Sequence, residues 1–334
     1  MDEKKGIFIG TQEAIFKAYS SDIRDELDNL PGIMPGYYDA DTIISNPGLF
    51  KNTEYIFSTW GMAQLSREQI SKCLPSLKAV FYAAGSVQYF ARPYLECGVR
   101  IFSAWSANAV PVAEVTVSQI ILANKGFFQT LHRDGAIWTE HDTGCPYPGN
   151  YDTPVGIIGA GMVGRLVLKM LKAYRLRALV FDPFLSEEAA LALGAQKVTS
   201  LQELFAKCQV ISNHLADNPQ TAAMLDHTCF DVMKDNAVFI NTGRGRQVVE
   251  ADLINALKDV STRAAVLDVT YPEPPVEGSE LYTLPNVFLT PHMAGSLGNE
   301  IARMGECMYN AFSDFTAGRS NPCEVTEDML KTMA

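Results

Sequence analysis

A glycine-rich turn near the middle of the chain most constrains what this sequence can fold into. The run Gly159–Gly164, with the sequence GAGMVG, follows directly on the apolar residues Val155–Ile158. Three glycines at this spacing behind an apolar run are typical of a strand that turns sharply into a helix. The run therefore predicts one strand–turn–helix unit of a parallel α/β sheet.

An acidic residue stands where a dinucleotide-binding unit needs one. Asp182 lies eighteen residues beyond Gly164, at the end of the next apolar run. In such a unit Gly159 permits the tight turn, Gly161 lets backbone N–H groups approach a pyrophosphate, and Gly164 lets the helix pack closely on the strand. The carboxylate of Asp182 would bind the ribose hydroxyls and repel the extra phosphate of NADP, so the sequence predicts NAD as the cofactor.

Length and charge limit the class of protein. At 334 residues, two domains are a better expectation than one. With 47% hydrophobic and 19% charged residues, the composition is that of a globular protein. The net charge of −11 argues against a nucleic-acid surface and against a polybasic membrane patch.

The cysteines and the N-terminus indicate a cytoplasmic protein. The seven cysteines show no CxxC spacing, so we expect reduced thiols. No cluster of His, Cys and Asp has the spacing of metal ligands, and no metal is expected. We find neither a signal peptide after Met1 nor an apolar window of membrane-spanning length. The cysteines are Cys73, Cys97, Cys145, Cys208, Cys229, Cys307 and Cys323.

The first hundred residues alternate between predicted strands and helices. Four short apolar runs predict strands: Ile7–Ile9, Tyr55–Phe57, Leu77–Tyr82 and Val99–Phe102. Between the second and third, Ser66 and Gln69 have the spacing of a helix capping box. This alternation predicts a small parallel sheet with helices on both faces.

The remainder of the chain continues this alternation after a long helix. That helix is predicted from Val112 to roughly Phe128, and a loop rich in Gly, Pro and Tyr, Gly144–Tyr151, follows it. Five more apolar runs predict strands: Ala178–Phe181, Val210–Ser212, Ala237–Ile240, Ala264–Val269 and Val287–Leu289. Helices are predicted at Ser186–Leu193, Leu201–Lys207, Ala251–Lys258 and from Gly298 to about Thr316.

Polar side chains follow three of these strands in succession. Arg244 lies just beyond the predicted strand Ala237–Ile240. Asp268 lies at the end of the next predicted strand, and Glu273 follows that strand. His292 follows the last predicted strand. Because parallel sheets bind ligands at the carboxyl ends of their strands, these residues should meet at one edge. A histidine can carry a proton near neutral pH, a carboxylate can orient it, and an arginine can grip a carboxylate in two places.

Together these motifs resemble the D-isomer-specific 2-hydroxyacid dehydrogenase family over most of the chain. The resemblance rests on six segments and one acid: Ala83–Ser86, Val112–Glu114, Gly159–Gly164, Asp182, Asn241–Gly245, Asp268–Pro274 and Thr290–Gly295. It implies two α/β domains, a flavodoxin-like substrate domain and a doubly wound Rossmann NAD domain. Residues 1–107 would form the first, residues 108–296 the second, and residues 297–334 a helix returning to the first.

The resemblance also implies roles for single residues. His292 would be the general acid and base, Glu273 would keep it protonated for reduction, and Arg244 would bind the substrate carboxylate. Backbone N–H groups of Ala84, Gly85 and Ser86 would assist in binding that carboxylate. Residues near the cofactor would be Gly159, Gly161, Met162, Val163, Gly164, Asp182, His214, Thr242, Gly243, Arg244, Asp268, His292 and Gly295. The expected activity is interconversion of a 2-oxo acid and a D-2-hydroxy acid by a homodimer paired through its NAD domains.

The chain departs from the family pattern at two places. Relatives usually carry a proline two residues after the histidine at position 214, where this chain has Ala216. The loop Ala84–Tyr89 lacks the usual acidic and Asn residues at its end. Since that loop helps to select the substrate side chain, the resemblance does not identify the physiological acid.

Other classes of function stay open at this point. Some relatives act as NAD-responsive co-repressor scaffolds without catalysis, and phosphite oxidation uses the same scaffold. Formate enzymes of the family carry Gln at the position of Glu273, which disfavours that activity. A methyltransferase would explain the glycine turn but not Arg244, Glu273 and His292 together.

Overall fold

The protein consists of two compact α/β units. Its structure is a computed structural model that describes residues 5–131 and 146–331. Residues 1–4, and Gly144 and Cys145 of the predicted loop, lie outside this range. The first unit comprises residues 1–109 and 296–334, and the second comprises residues 110–295.

The first unit is built on a six-stranded sheet. Its strands are β1 (Gly6–Ile9), β2 (Ile33–Tyr38), β3 (Tyr55–Ser58), β4 (Ala79–Tyr82), β5 (Arg100–Ser103) and β13 (Glu324–Val325). Their spatial order is β13-β5-β4-β3-β1-β2, and all neighbours are parallel except β13 and β5. The parallel part has the flavodoxin-like order 2-1-3-4-5, which confirms the predicted fold of this unit.

Helices cover both faces of this first sheet. They are α1 (Gln12–Ala18), α2 (Ser21–Asn29), α3 (Ala40–Ser45), α4 (Pro47–Phe50), α5 (Arg67–Cys73), α6 (Ala91–Glu96) and α14 (Glu300–Thr316). The capping box predicted for α5 is confirmed, because Ser66 and Gln69 exchange backbone and side-chain hydrogen bonds. Met304 and Phe312 of α14 are buried against the sheet residues Phe57 and Phe81.

The second unit contains a seven-stranded, fully parallel sheet. Its strands are β6 (Tyr151–Ile158), β7 (Arg175–Phe181), β8 (Ala195–Lys197), β9 (Val210–Asn213), β10 (Val238–Asn241), β11 (Ala264–Leu267) and β12 (Val287–Leu289). Their order is β12-β11-β10-β9-β6-β7-β8. This is the doubly wound Rossmann order, and it reverses direction between β6 and β9. Ligands of such sheets bind at that switch point, beyond the carboxyl ends of the strands.

Helices of the second unit pack on alternate faces of its sheet. They are α8 (Phe127–Thr130), α9 (Met162–Leu171), α10 (Glu187–Ala192), α11 (Leu201–Lys207), α12 (His227–Phe230) and α13 (Glu250–Asp259), together with most of α7 (Trp105–Ala123). Alternation along β10 shows the two layers, since Val238 and Ile240 join the cluster with α7 and α9, whereas Phe239 joins α11, α12 and α13. Burial on both faces explains why the strands are continuous apolar runs.

Three edge strands and both ends of the long helix differ from the sequence prediction, and one of these strands, β13, has only two residues. β2 was missed because Pro35 and Gly36 interrupt its pattern, which an edge strand tolerates. β8 has only three residues. The long helix begins at Trp105 rather than Val112, with Pro111 inside it, and ends at Ala123 rather than near Phe128, where the separate helix α8 lies. Proline is typical of a first helical turn, and that preference misplaced the predicted start.

The corrected helix also changes one statement about apolar segments. With its full length, α7 is long and apolar enough to cross a membrane by length and composition, so the prediction that no window reaches that length was wrong. Half of its most apolar window is buried in the protein. Ala113, Val117 and Ile120 lie in the same buried cluster as β6 and β10 residues, which is the packing of a core helix.

Candidate active site

The glycine turn after β6 has the geometry that the sequence predicts. Gly159 has a φ of 87°, and a Cβ atom there would lie 2.8 Å from the carbonyl oxygen of His214, which follows β9. A Cβ on Gly164 would lie 2.0 Å from the carbonyl oxygen of Gly159. Both positions therefore require glycine so that β6, β9 and α9 can approach closely.

Gly161 differs from its two neighbours because the space beside it is open. No described atom lies within 4 Å of a Cβ built there, and its φ of −70° suits any residue. Gly161 is the N-cap of α9, whose first turn contains Met162 and Val163 and has no side-chain cap. An uncapped helix N-terminus beside open space fits the phosphates of a dinucleotide.

We expect substitution of Gly164 to lower mainly the stability of the protein, and substitution of Gly161 to lower mainly its affinity for NADH. Gly164→Ala should lower the unfolding temperature markedly, because its methyl group collides with backbone. Gly161→Ala should leave the unfolding temperature nearly unchanged yet weaken NADH binding, because its methyl group enters the phosphate space. Calorimetry and NADH fluorescence titration measure the two effects. Unaltered NADH affinity in a folded Gly161→Ala protein would contradict this placement.

Asp182 lies at the carboxyl end of β7, and its carboxylate lies against the glycine turn. The Ala160 N–H donates to its Oδ2 at 2.7 Å, and the Phe184 N–H donates to its Oδ1 at 2.8 Å. These bonds place the carboxylate beside the turn at the switch point. The side chain that the sequence assigns to the ribose is thus adjacent to the turn assigned to the pyrophosphate.

His214 lies at the other side of the switch point and is buried. Its Nε2 is 3.0 Å from the hydroxyl of Ser212, and its backbone N–H donates to Ile158. Burial lowers the pKa of His214 to about 3, so the ring is neutral near pH 7. No described residue hydrogen-bonds its Nδ1. His214 therefore contributes to the switch point through its backbone, which packs closely against Gly159.

Asp268 organises the turn that carries His292. It is buried, and its carboxylate accepts hydrogen bonds from the Thr290 hydroxyl (2.6 Å) and from the N–H groups of Met293 (2.8 Å) and Ala294 (2.9 Å). The His292 N–H donates to the Asp268 carbonyl oxygen at 3.0 Å. These bonds hold His292 at a φ of 53°, a left-handed conformation that few residues other than glycine adopt. Asp268 thus positions His292 by holding the turn that carries it.

His292 and Glu273 form a close, solvent-accessible pair. The Nδ1 of His292 lies 2.7 Å from the Oε1 of Glu273, and both side chains are nearly half exposed. Next to a carboxylate, Nδ1 carries a proton, which leaves Nε2 as the atom that exchanges a proton with a substrate. The structure therefore joins two residues whose pairing the sequence predicted.

Arg244 lies in the loop that follows β10. Its Nη1 donates to the Gly243 carbonyl oxygen at 2.8 Å, and its own carbonyl oxygen accepts from Asn241 at 3.1 Å. Burial lowers the pKa of Arg244, while the nearby charges of Asp217 and Glu273 oppose that shift. The guanidinium remains protonated and lies within electrostatic reach of Glu273.

A buried polar network supports this loop, and the sequence analysis did not identify it. Asn213 donates to Asn241 at 3.0 Å and to Gln247 at 2.6 Å, so the ends of β9 and β10 are joined. Gln247 donates in turn to the carbonyl oxygens of Leu215 and Ala216. These bonds hold the segment around Ala216 without the proline that relatives carry there. The Asn residues at the ends of β9 and β10 were the sequence signal that could have revealed this network.

Three further predicted cofactor residues lie on the same edge of the second sheet. Thr242 is buried, and its hydroxyl is 3.0 Å from that of Thr116 on α7. The Gly243 N–H donates to Asn241, and a Cβ at Gly243 would lie 3.1 Å from the Asn213 side chain. Gly295 ends the turn organised by Asp268 and is partly buried.

The predicted substrate loop lies at the carboxyl end of β4 in the first unit. The Ala84 N–H donates to the Tyr82 carbonyl oxygen at 2.8 Å and is therefore occupied. The Ser103 hydroxyl donates to the carbonyl oxygens of Ala84 (2.9 Å) and Gly85 (2.6 Å), which orients this loop. Gly85 and Ser86 are partly exposed.

Comparison with known proteins shows the family. Residues 123–294 match the NAD-binding domain of the D-isomer specific 2-hydroxyacid dehydrogenases. D-3-phosphoglycerate dehydrogenase of Methanocaldococcus jannaschii is 32% identical over 203 residues, 60% of this chain and 38% of that protein. D-3-phosphoglycerate dehydrogenase 1 of Saccharomyces cerevisiae is 32% identical over 232 residues, 65% of this chain and 48% of that protein.

Solved structures share the fold over nearly the whole chain. D-mandelate dehydrogenase of Rhodotorula graminis has a TM-score of 0.80 at 18% identity, covering 97% of this chain and 98% of that one. A glyoxylate reductase of Paecilomyes thermophila has a TM-score of 0.75 at 23% identity, covering 98% of this chain and 100% of that one.

These findings define an NAD-binding α/β protein. The chain belongs to the D-isomer-specific 2-hydroxyacid dehydrogenase family, and its second unit is the NAD-binding domain. The matched stretch spans less than half of each of the two phosphoglycerate dehydrogenases named above.

Proposed function

We propose that this protein interconverts a 2-oxo acid and the corresponding D-2-hydroxy acid with NAD(H). The observation that carries the proposal is the 2.7 Å contact between His292 and Glu273, in the unit that also holds Arg244 and the glycine turn. This contact combines a proton carrier with the carboxylate that orients it. The general oxidoreductase class is that of the family, whereas the residue roles are our assignment.

The cofactor site lies at the switch point of the second sheet. Gly161 and the first turn of α9 would hold the pyrophosphate, and Asp182 the adenosine ribose. Thr242, Gly243 and Gly295 lie on the edge where the nicotinamide would bind. When bound, NADH supplies the hydride for reduction of the keto carbon.

His292 would supply the proton that reduction requires. With Glu273 accepting from Nδ1–H, Nε2 is free to donate to the carbonyl oxygen of the substrate and to take the proton back in oxidation. Asp268 keeps the imidazole in place through its three bonds to the 290–294 turn.

Arg244 would bind the substrate carboxylate and orient the carbonyl group. Its Nη1 bonds the Gly243 carbonyl oxygen, and the rest of the fork has donors left for a two-pronged grip on a carboxylate. The same positive charge stabilises negative charge that develops on the carbonyl oxygen.

We also propose that the protein forms a homodimer through its NAD units. Three large apolar side chains near the end of α7 and around α8 are each about two-fifths exposed or more: Leu122, Phe127 and Leu131. Neighbouring apolar side chains of this size are typical of an interface. Light scattering tests this, and the mass of a single chain would contradict it.

Assays of NADH oxidation with 2-oxo acids test the proposed activity. Glyoxylate, hydroxypyruvate, pyruvate and longer branched 2-oxo acids should be compared, with NADPH as the cofactor control. We expect oxidation of NADH with at least one of them, and much slower oxidation of NADPH because of Asp182. NADH binding without turnover of any acid would favour a regulatory scaffold, and NAD reduction with phosphite alone would favour a phosphite dehydrogenase.

A further inference from the structure

Two cysteine thiols of the first unit lie in contact with each other. The Sγ atoms of Cys307 on α14 and Cys323, just before β13, are 3.2 Å apart. Cys307 is partly exposed and Cys323 is buried, and both are reduced in this structure. The hydroxyl of Ser106 lies 3.8 Å from the Cys323 sulfur. None of the proposed catalytic steps uses these thiols.

The backbone around Cys323 is held on both sides. The Ser103 N–H donates to its carbonyl oxygen at 2.9 Å, and its own N–H donates to Asn321 at 2.9 Å. Asn321 donates in turn to Asp314 on α14 at 2.6 Å. The Cys323 sulfur is therefore fixed opposite the helix that carries Cys307, which keeps the two thiols together.

We propose that Cys307 and Cys323 are a site of oxidative modification. A hydroperoxide oxidises the two thiols, which then form a reversible disulfide with each other. A small rotation of the two side chains brings the sulfurs to bonding distance. The bond would close a loop between positions sixteen residues apart and link α14 to the edge of the first sheet. This inference is independent of the proposed activity.

The chemistry balances with one molecule of hydrogen peroxide per pair. The two sulfurs are in hydrogen-bond contact and either can be the donor, so when the pair loses one proton the remaining thiol stabilises the thiolate beside it. The proton can shift across the contact, and the more accessible Cys307 sulfur, as thiolate, attacks the peroxide oxygen. The O–O bond breaks, hydroxide leaves and a sulfenic acid forms. The Cys323 thiol then attacks that sulfur, the S–O bond breaks and water leaves, so two thiols are oxidised and one peroxide is reduced to two waters.

Peptide mapping of the full chain tests the proposal directly. After treatment with hydrogen peroxide, alkylation and trypsin, cleavage after Arg303, Arg319 and Lys331 places each cysteine in its own peptide, 304–319 and 320–331. We expect these two peptides to be joined, lighter by two hydrogen atoms than their sum, and separated again by a dithiol. Recovery of both peptides unlinked, with each thiol alkylated or with Cys307 oxidised alone, would overturn the proposal.

Matched variants identify the partners. Cys307→Ser and Cys323→Ser should each abolish the linked peptide. Cys97→Ser removes another partly buried thiol, whose polar neighbours are the Ser71 hydroxyl at 3.8 Å and the Arg67 carbonyl oxygen at 3.7 Å. That variant should form the linked peptide as the wild type does. A linked peptide that is lost in Cys97→Ser would contradict the assignment of the pair.

Discussion

Replacing His292 with asparagine is expected to lower kcat for 2-oxo acid reduction by about 10²- to 10⁴-fold, the usual contribution of general acid catalysis. Asparagine is the informative substitution because it tolerates the left-handed backbone at this position, where alanine would add strain. The amide cannot exchange a proton as imidazole does. NADH affinity, measured by fluorescence titration, should change little, since the proton carrier acts on the substrate.

His227 offers a control with similar chemistry. It is exposed, lies at the start of α12, and its Nδ1 is 3.7 Å from Asp252, so it also pairs with a carboxylate. His227→Asn should retain wild-type turnover. If His292→Asn retained it too, His292 would have no part in the reaction.

Replacing Arg244 with alanine is expected to reduce kcat/KM for 2-oxo acids by about 10²- to 10³-fold, the scale found when one transition-state donor is removed. The loss should appear in KM, because the guanidinium grips the substrate carboxylate, and also in kcat, because the same charge stabilises the developing negative charge. Arg244→Lys should recover only part of it, since lysine keeps the charge but not the planar fork. Steady-state kinetics with the best 2-oxo acid measures both effects.

Arg246 provides the matched control for Arg244. It lies two residues away, and its Nε is 3.2 Å from the Asp217 carboxylate. We expect Arg246→Ala to change kcat/KM for 2-oxo acids far less than Arg244→Ala does. Equal losses in the two variants, or a loss confined to NADH affinity, would show that Arg244 does not bind the substrate.

The sequence predicted the central sheet well because its strands are buried on both faces. Ala264–Leu267 is such a continuous apolar run, and every residue of the strand that forms there is buried. Of the four edge strands of the two described sheets, the apolar run of β12 was predicted, whereas β2, β8 and β13 were missed because their stability depends on one neighbour rather than on their own pattern. Pro35 in β2 and the three residues of β8 give no local signal of that pairing.

The candidate site was predictable where a residue type and a strand end coincide. His292, Glu273 and Arg244 could be named because each follows an apolar run, and the order of the strands then brings them to one edge. The left-handed backbone of His292 was not predictable, because it depends on Asp268, distant along the chain. Sequence position placed Asp268 near the cofactor, whereas its hydrogen bonds show that it holds the turn.

The most direct test of the proposed chemistry follows the hydride itself. NADH carrying deuterium at the transferable position should be incubated with the wild-type protein and the 2-oxo acid that it reduces fastest. The account predicts a 2-hydroxy acid of D configuration with one deuterium at C2, and none from His292→Asn on the same time scale. An L product, or a product without deuterium at C2, would contradict it.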